Sequence, residues 1–438
     1  MSPPFGPSLA AVDPAAQARE EPVLAPVGCA DMPFTPTRSA GFDRLQAFLP
    51  DAGRQYAETR NYDDGPGRGN VSQLSPWLHT GLLREHEVLE ATLREHGARA
   101  AEKFGNEIFW RVYFKGYLEQ RPSIWRSYCQ QRDTALTALD RNAGDRTAYE
   151  EATEGRTGIG AFDYWAQELI ETGYLHNHAR MWFASIWIFT LKLDWTLGAD
   201  FFLRHLVDGD AASNTLSWRW VGGLHTKGKT YLATKDNIAR YIGRHPDGPL
   251  DAEGLATDAS ALTEPEDHGR QAPDLPGPAG SESYAEPYAL LLHDEAASHV
   301  PLDLPKPPAL VIGAARPGAR SPLPTAKPLR SFARDAVANG TEAARKAWSC
   351  PHAEWSPQTP LSDLLTPHGI DLVVTPFLPT GWTRDALWPA LAPLAEEGRL
   401  VQVLPDLQRA TWPHATAGFF GVKKKIETAM REARIVGA

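Results

Sequence analysis

Apolar and polar positions divide this chain into three regimes. From about residue 41 to residue 245 apolar side chains recur at helical spacing. Phe42, Leu45 and Leu49 give the first amphipathic turns, Arg54 to Arg60 continues them, and Trp77 to Glu90 follows a Gly/Asp loop. Helical patterns then cover about 85–104, 105–120 and 122–135, residues 136–156 read as loop, and Phe162 to Glu171 is a short helix. Gly173 to Trp220 holds a long apolar helix with a polar cluster at each end, and loops with one short helix reach Arg244. From His245 to about Pro287 the chain is rich in Pro, Gly, Ala, Asp and Glu, which predicts a linker or an extended surface-wrapping segment. Beyond it the period shortens. Tyr288 to His293, Ala309 to Gly313, Ile370 to Thr375 and Leu400 to Leu404 are short apolar runs of buried-strand type. Helical patterns at about 330–347, 384–397 and 419–434 alternate with them, so a parallel sheet with helices on both faces is expected.

The expected fold class is therefore multidomain, all-α followed by an α/β, Rossmann-like unit. The boundaries read as 1–40 for a Pro/Ala-rich arm, 41–245 for the helical domain, 246–286 for the linker and 287–438 for the α/β domain. No Gly-rich dinucleotide fingerprint follows any strand, and Gly313-Ala314-Ala315-Arg316 is too short for a phosphate loop.

Composition changes this picture in few places. The formal net charge of −10 argues against a nucleic-acid partner, but between residues 41 and 245 basic and acidic residues nearly cancel. A local basic face on the helical domain is compatible with the whole-chain charge. Cys29, Cys129 and Cys350 are far apart and form no CxxC or Cys/His metal spacing, which predicts reduced thiols and no metal site. No apolar run reaches membrane-span length and no secretory signal is visible, so a cytoplasmic location is the default. Fourteen Trp is a high count for residues that stack on planar ligands and can carry electrons.

Candidate chemistry sits at the polar ends of the Gly173–Trp220 stretch. One end carries His176, Asn177, His178 and Arg180, and the other Asp208-Gly209-Asp210, Asn214, Trp218 and Trp220. A core needs neither an Asp-Gly-Asp nor an Arg beside it, whereas a binding pocket has polar groups set in an apolar wall. Capped helix ends are the competing explanation. Ser75 with Pro76 reads as an N-cap and first helical residue, a start that suits a phosphate although most such starts bind nothing. Glu107 and Arg111, four apart, share a helix face, where a plain surface ion pair is the simplest expectation; Trp110 borders the same face.

Taken together in chain order, these motifs resemble the FAD-binding domain of the photolyase and cryptochrome family. They are Tyr56 with Arg60; Ser72-Gln73-Leu74-Ser75 and Trp77-Leu78-His79-Thr80-Gly81; Asn106-Glu107 with Trp110-Arg111; Gly158 and Asp163; and Gly173-Tyr174-Leu175-His176-Asn177 with Arg180-Met181. Leu193-Asp194-Trp195, Asp208-Gly209-Asp210, Asn214 and Trp218-Arg219-Trp220 complete the set, which spans roughly residues 41–240. The resemblance implies an all-helical domain holding FAD in a folded, U-shaped conformation.

It also implies roles. Tyr56, Ser72, Gln73, Leu74 and Ser75 would hold the diphosphate. Phe104, Arg111 and Asn177 would belong to the cofactor site, Arg180 and Asp208 would pair beside the flavin ring, Asp210 would lie against flavin or adenosine, and Asn214 would face flavin N5. Trp218 and Trp195 match the first two members of the family's electron path. Its outer Trp is missing, since none occurs between Trp125 and Trp165; either Tyr149, Trp182, Trp187 or another ring takes over, or photoreduction is inefficient, and core packing is the plainer role for both tryptophans. Glu107, Trp110, Asn177, Met181 and Trp220 stand where family photolyases surround a flipped pyrimidine dimer, two rings stacking on the bases and polar groups reading their edges. The catalytic set implied is Glu107, Asn214, Trp195 and Trp218.

Departures are visible. Phe104 replaces a Trp, His178 replaces a basic residue, and Val221 to Lys229 does not read like the commonest class. Family members carry their α/β domain before the helical one; here the α/β unit follows, which suggests the same two domains in exchanged order, with an unrelated α/β module as the alternative. The function implied is blue-light-driven splitting of pyrimidine dimers in DNA by reduced FAD, a lyase activity. The alternatives are a cryptochrome-like blue-light receptor signalling to a protein partner, or a light-independent flavoprotein. The residues name no antenna chromophore.

Overall fold

The computed structural model describes residues 33–278, 284 and 287–435. The expected N-terminal arm and Cys29 lie largely outside them. Within the arm's predicted range, Thr37 accepts a hydrogen bond from the Ala40 amide and starts helix α1 (Arg38–Phe48), three residues before the expected boundary.

The helical part continues with α2 (Arg54–Thr59), α3 (Ser75–His79), α4 (Glu85–Glu119), α5 (Pro122–Leu139), α6 (Ala143–Thr153) and α7 (Gly160–Thr172). Then come α8 (Asn177–Ser185), a π-helical turn (Ile186–Thr190), α9 (Trp195–His205), α10 (Ala211–Val221) and α11 (Lys235–Tyr241). Three expectations are corrected here. The two patterns at 85–104 and 105–120 are one helical run, α4, whose break lies at Gly97, where φ is +68°. The stretch 136–156 is not a loop, because Asn142 accepts from the Gly144 and Asp145 amides and caps α6. Ser75 is not the N-cap of α3. The cap position is Leu74, with Ser75 and Pro76 inside the first turn, because Gln73 turns the backbone left-handed (φ +53°) one step earlier.

The long apolar helix expected after Gly173 is broken up as α8, the π turn and α9. Its apolar side chains, among them Trp182, Phe183, Trp187 and Phe202, fill the main helical core with Trp165 and Trp218. Residues 245–278 carry no regular element. They wrap the helical core, with Leu250, Leu255, Ala259 and Leu262 packed against it, and Glu264 paired with Arg219 at 2.5 Å.

The α/β part has strands β1 (Tyr288–His293), β2 (Leu310–Ala314), β3 (His352–Glu354), β4 (Leu372–Pro376) and β5 (Leu400–Val403). All neighbours are parallel, in the order β3-β2-β1-β4-β5. Leu290 pairs with Val311 on one side and Val374 on the other. Helices α12 (Lys327–Trp348), α13 (Leu361–Leu365) and α14 (Trp382–Glu396) connect the strands. Alternate residues of β1 face opposite layers: Ala289 and Leu291 join Leu387 and Leu391 of α14, while Leu290 and Leu292 join Ala344 of α12. The expected strands are present, and short, polar β3 is added at the edge. The helix expected at 419–434 is two pieces, α16 (Phe420–Lys423) and α17 (Ile426–Glu432), preceded by α15 (Asp406–Thr411).

The two parts share a tight interface along α4. A Cβ at Gly116 would stand 2.6 Å from the Trp412 ring, so only glycine allows this approach. Gln120 donates to the Trp412 carbonyl (2.6 Å), Tyr113 to the Ala417 carbonyl (2.8 Å), and Trp125 to Asp385 (2.7 Å). Among the described residues, no helix is long and apolar enough to cross a membrane.

Candidate functional site

Three helices contribute side chains at one spacing. Helix α4 gives Glu107, Trp110, Arg111 and Phe114; α8 gives Asn177, Arg180, Met181 and Ala184; α10 gives Ser213, Asn214, Ser217, Trp218, Trp220 and Val221. Residues three and four apart lie on one helix face, so three such faces meet around a single cavity. Helix α10 packs against α4, α8 and α9. Phe202 and Leu206 close the cavity from α9 and its exit, Arg60 from the end of α2, and Asp208 to Asp210 from the turn before α10. Its volume is about 430 Å³, within the range of ligand pockets.

The lining is graded by depth. Asp208, Asp210, Asn214 and Trp218 are buried. Trp110, Met181 and Trp220 are half-exposed and Asn177 is exposed. Glu107 forms an ion pair with Arg60 at the same level, both side chains about one-third exposed. The expected Glu107–Arg111 pair is therefore absent. The two share the face as the spacing requires, but Arg111 turns inward to Glu85 (3.1 Å) and Asp210 (3.4 Å).

Two carboxylates define the floor. Asp208 Oδ2 accepts from Arg180 Nη2 at 2.8 Å, and its buried Oδ1 has no partner. Burial pulls the Arg180 guanidinium down and Asp208 pushes it up, the second effect prevailing. Asp210 caps α10 by accepting from the Ser213 amide (2.7 Å), and its other oxygen lies 2.8 Å from Lys115 Nζ. Burial alone would raise the Asp210 carboxyl, but Lys115 and Arg111 hold it well below the usual carboxylate range.

Lys115 reaches 2.5 Å to Glu295, just after β1, so its ammonium bridges Asp210 to the α/β part. His79 lies 4.0 Å from Asp210 and 2.9 Å from Arg320 Nη2. Burial and Arg320 keep it neutral, far below its ordinary pKa. The His79, Asp210 and Glu295 ligand atoms lie within 4.8 Å of one another, but the cation bonded to both carboxylates is the protein's own lysine.

Asn214 donates to the Ala199 carbonyl at 2.8 Å, which fixes its amide at the cavity wall. Trp110 stacks on Phe419, with centroids 4.1 Å apart and rings 14° from parallel, and Trp220 stacks on Tyr231 at 5.5 Å.

The structure thus brings together Glu107, Trp110, Arg111, Asn177, Arg180, Met181, Asp208, Asp210, Asn214, Trp218 and Trp220. Tyr56, Ser72, Gln73, Leu74, Ser75, Phe104 and Trp195 do not line the cavity. Tyr56 sits one layer behind, its ring under the Arg60 guanidinium at 5.7 Å and against Phe104 at 5.1 Å. Ser72 and Gln73 are held by Arg44, which donates to the Ser72 carbonyl (2.7 Å) and to Gln73 Oε1 (3.0 Å). Trp195 packs on Tyr128 at 5.7 Å.

Phe114, Ala184, Ser213 and Ser217 line the cavity without having been singled out. The helical repeat from Glu107, Asn177 and Asn214 was the available signal. Lys115 and Phe419 carried none, because their significance depends on contacts with distant segments.

Comparison with known proteins agrees with this geometry. A family model described as the FAD binding domain of DNA photolyase matches residues 104–244. The chain is 36% identical over 166 residues to a deoxyribodipyrimidine photo-lyase of Streptomyces griseus, covering 38% of this chain and 34% of that protein. It is 33% identical over 214 residues to the deoxyribodipyrimidine photo-lyase of Thermus thermophilus, covering 49% of each. Among solved structures, a class III photolyase from Agrobacterium tumefaciens is 28% identical with a TM-score of 0.41, covering 48% of this chain and 44% of that one. The matched part spans less than half the length of these relatives. The family model falls on the helices that build the cavity: residues 104–244 match the FAD binding domain of DNA photolyase.

Proposed function

We propose that this protein splits pyrimidine dimers in DNA by light-driven electron transfer from reduced FAD held on the cavity floor. The observation that carries the reading is the depth grading. The implied cofactor residues Asp208, Asp210, Asn214 and Arg180 occupy the floor or lower wall, while Glu107, Trp110, Asn177, Met181 and Trp220 form the mouth. One cavity thus offers a polar, pre-paired base and an aromatic rim.

The floor fits a flavin. Asp208 Oδ1 is a buried acceptor lacking a donor, and a flavin ring carries an imide N–H beside carbonyls that an arginine can meet. FAD supplies a blue-light-excitable electron donor when bound. Arg180 and Asp208 would hold the polar edge of its ring, and Asn214, tied to Ala199, would present its remaining amide capacity to N5. Asp210, kept ionised by Lys115 and Arg111, would face the flavin or adenosine part.

At the mouth, Trp110 and Trp220 would stack on the extruded bases, and stacking of this kind compensates for the lost base stack. Asn177 and Glu107 would read the base edges, and Met181 fills the space between. The α/β part is read as the counterpart of the family's α/β domain, covering the helical domain from the opposite end of the chain. Proteins named deoxyribodipyrimidine photo-lyase among the relatives support this activity.

The test is discrimination by the FAD-loaded protein between lesion-containing and undamaged oligonucleotides. Tighter binding to single- and double-stranded DNA carrying a cyclobutane dimer, lost in Trp110→Ala, is expected. Equal affinity for damaged and undamaged strands would reject the reading.

A further inference from the structure

We propose that Trp187 and Tyr149 conduct positive charge from Trp218 to the protein surface and supply the outer half of the electron path that re-reduces the bound flavin. The inference rests on the flavin-binding reading of the cavity, and not on DNA repair.

Trp218 lines the cavity. Among the described residues, the rings with centroids within 6.4 Å of it are Phe202 (5.1 Å), Trp187 (6.2 Å) and Phe183 (6.4 Å). Trp195 is not among them. Electron tunnelling weakens steeply with distance, and phenylalanine is much harder to oxidise than an indole. Trp187 is therefore the readily oxidised ring among these contacts, one short hop from Trp218.

The local backbone is shaped around this pair. Gly198 of α9 faces both indoles, and a Cβ there would stand 2.3 Å from Trp218 and 2.9 Å from Trp187. Trp187 lies in the π-helical turn, a rare widening of the helix that recurs at functional sites. Its Nε1 donates to the Asp194 carbonyl at 2.9 Å, which fixes the ring.

From Trp187 the next ring is Tyr149 of α6, at 6.1 Å. Tyr149 is half-buried, so it stands between the core and water. Its oxygen accepts from Arg204 Nη2 (2.9 Å), and Arg204 donates to Asp200 (3.0 Å). Burial raises the Tyr149 phenol against the pull of the Arg204 guanidinium, so it keeps its proton until it is oxidised and then releases it. That loss stabilises the hole, because the product is a neutral radical.

The branch through Trp195 runs inward. It continues to Tyr128 (5.7 Å) and Trp125 (5.2 Å), both buried, and Trp125 Nε1 is bonded to Asp385.

The steps balance. Trp218 gives one electron to the photoexcited flavin. Trp187 returns one electron to Trp218, and Tyr149 returns one to Trp187 while its phenolic proton passes to water. A thiol in solution then returns an electron and a proton to Tyr149, and two thiyl radicals combine as a disulfide.

The test uses FAD-loaded protein under blue light with a thiol reductant. Trp187→Phe should slow reduction of the bound FAD at least tenfold with FAD per chain unchanged, and Trp187→Tyr, which keeps an oxidisable ring, should restore much of the rate. A light-induced tyrosyl signal in electron paramagnetic resonance should appear in the parent protein and vanish in both Tyr149→Phe and Trp187→Phe. Dimer splitting by protein reduced beforehand with dithionite should be the same in the parent and both Phe variants, so loss of repair is scored separately from loss of the route. Parent-like photoreduction and radical yield in Trp187→Phe, with both lost in Trp195→Phe, would overturn the proposal.

Discussion

Phe419 and Trp110 stack face to face, 4.1 Å between centroids, although 308 residues separate them in the chain. The first comes from the segment after the α/β sheet and the second from the helix that lines the cavity. The α/β part therefore fixes an aromatic wall of the site. A stacked pair contributes about 0.5–1.5 kcal/mol beyond its buried area. Phe419→Ala is expected to weaken binding of a dimer-containing oligonucleotide by roughly 2- to 10-fold, the same free energy expressed as affinity. FAD content should not change. Titration of oligonucleotide binding, with flavin absorbance per chain as the control, checks both parts.

Asp208 is the buried partner of Arg180, and its second oxygen waits for a donor. Asp208→Ala removes the acceptor and leaves the Arg180 guanidinium, one-quarter exposed, without its carboxylate. The purified variant should lose most of its FAD or hold the reduced form poorly. Flavin-to-protein ratio and reductive titration measure this; parent-like values in both would contradict the pairing's role.

Lys115 neutralises two buried carboxylates from different parts of the fold, Asp210 and Glu295. Lys115→Met keeps the stem and removes the charge. It should lower the unfolding free energy by roughly 3–5 kcal/mol, because two carboxylates are left buried beside each other. Glu295→Gln added to Lys115→Met should recover part of the loss. Denaturant unfolding of the two variants tests this.

Glu168 gives a pH-dependent signature. It is buried with Arg68 (2.6 Å) and Asp63, and burial raises its carboxyl from 4.5 to about 7 against the pull of Arg68. Between those two values the folded chain holds a proton that the unfolded chain has released. Stability from this group is full below about pH 4.5 and is lost as pH rises through about 7. Glu168→Gln should flatten the slope of unfolding free energy in that window, as measured by denaturant unfolding at stepped pH.

How much the sequence revealed depends on the range of the forces involved. The faces carrying Glu107 and Trp110, Asn177 and Met181, and Asn214 and Trp218 were legible because helical period is local, and the strands from Tyr288, Leu310, Leu372 and Leu400 were legible because their residues are buried on both sides. The break at Gly97 and the cap at Leu74 were missed because a single positive-φ residue in a helical pattern leaves no periodic trace. Helix α6 was missed because its charged residues hid the cap at Asn142. Arg111 was assigned the nearer carboxylate, Glu107, and in the fold it chose Glu85 and Asp210, which tertiary packing buries beside it. Phe419 and Glu295 reach the site only because the α/β part docks on α4, a contact no local pattern carries.

The central claim is that one cavity holds an electron donor at its floor and a pyrimidine dimer at its mouth. The most direct measurement is dimer loss from DNA mixed with fully reduced, FAD-loaded protein under blue light, compared with darkness. Light-dependent return of intact pyrimidines, abolished or strongly reduced in Trp110→Ala, is the predicted result. Unchanged dimer content after illumination of protein shown to be FAD-loaded and reduced would contradict it.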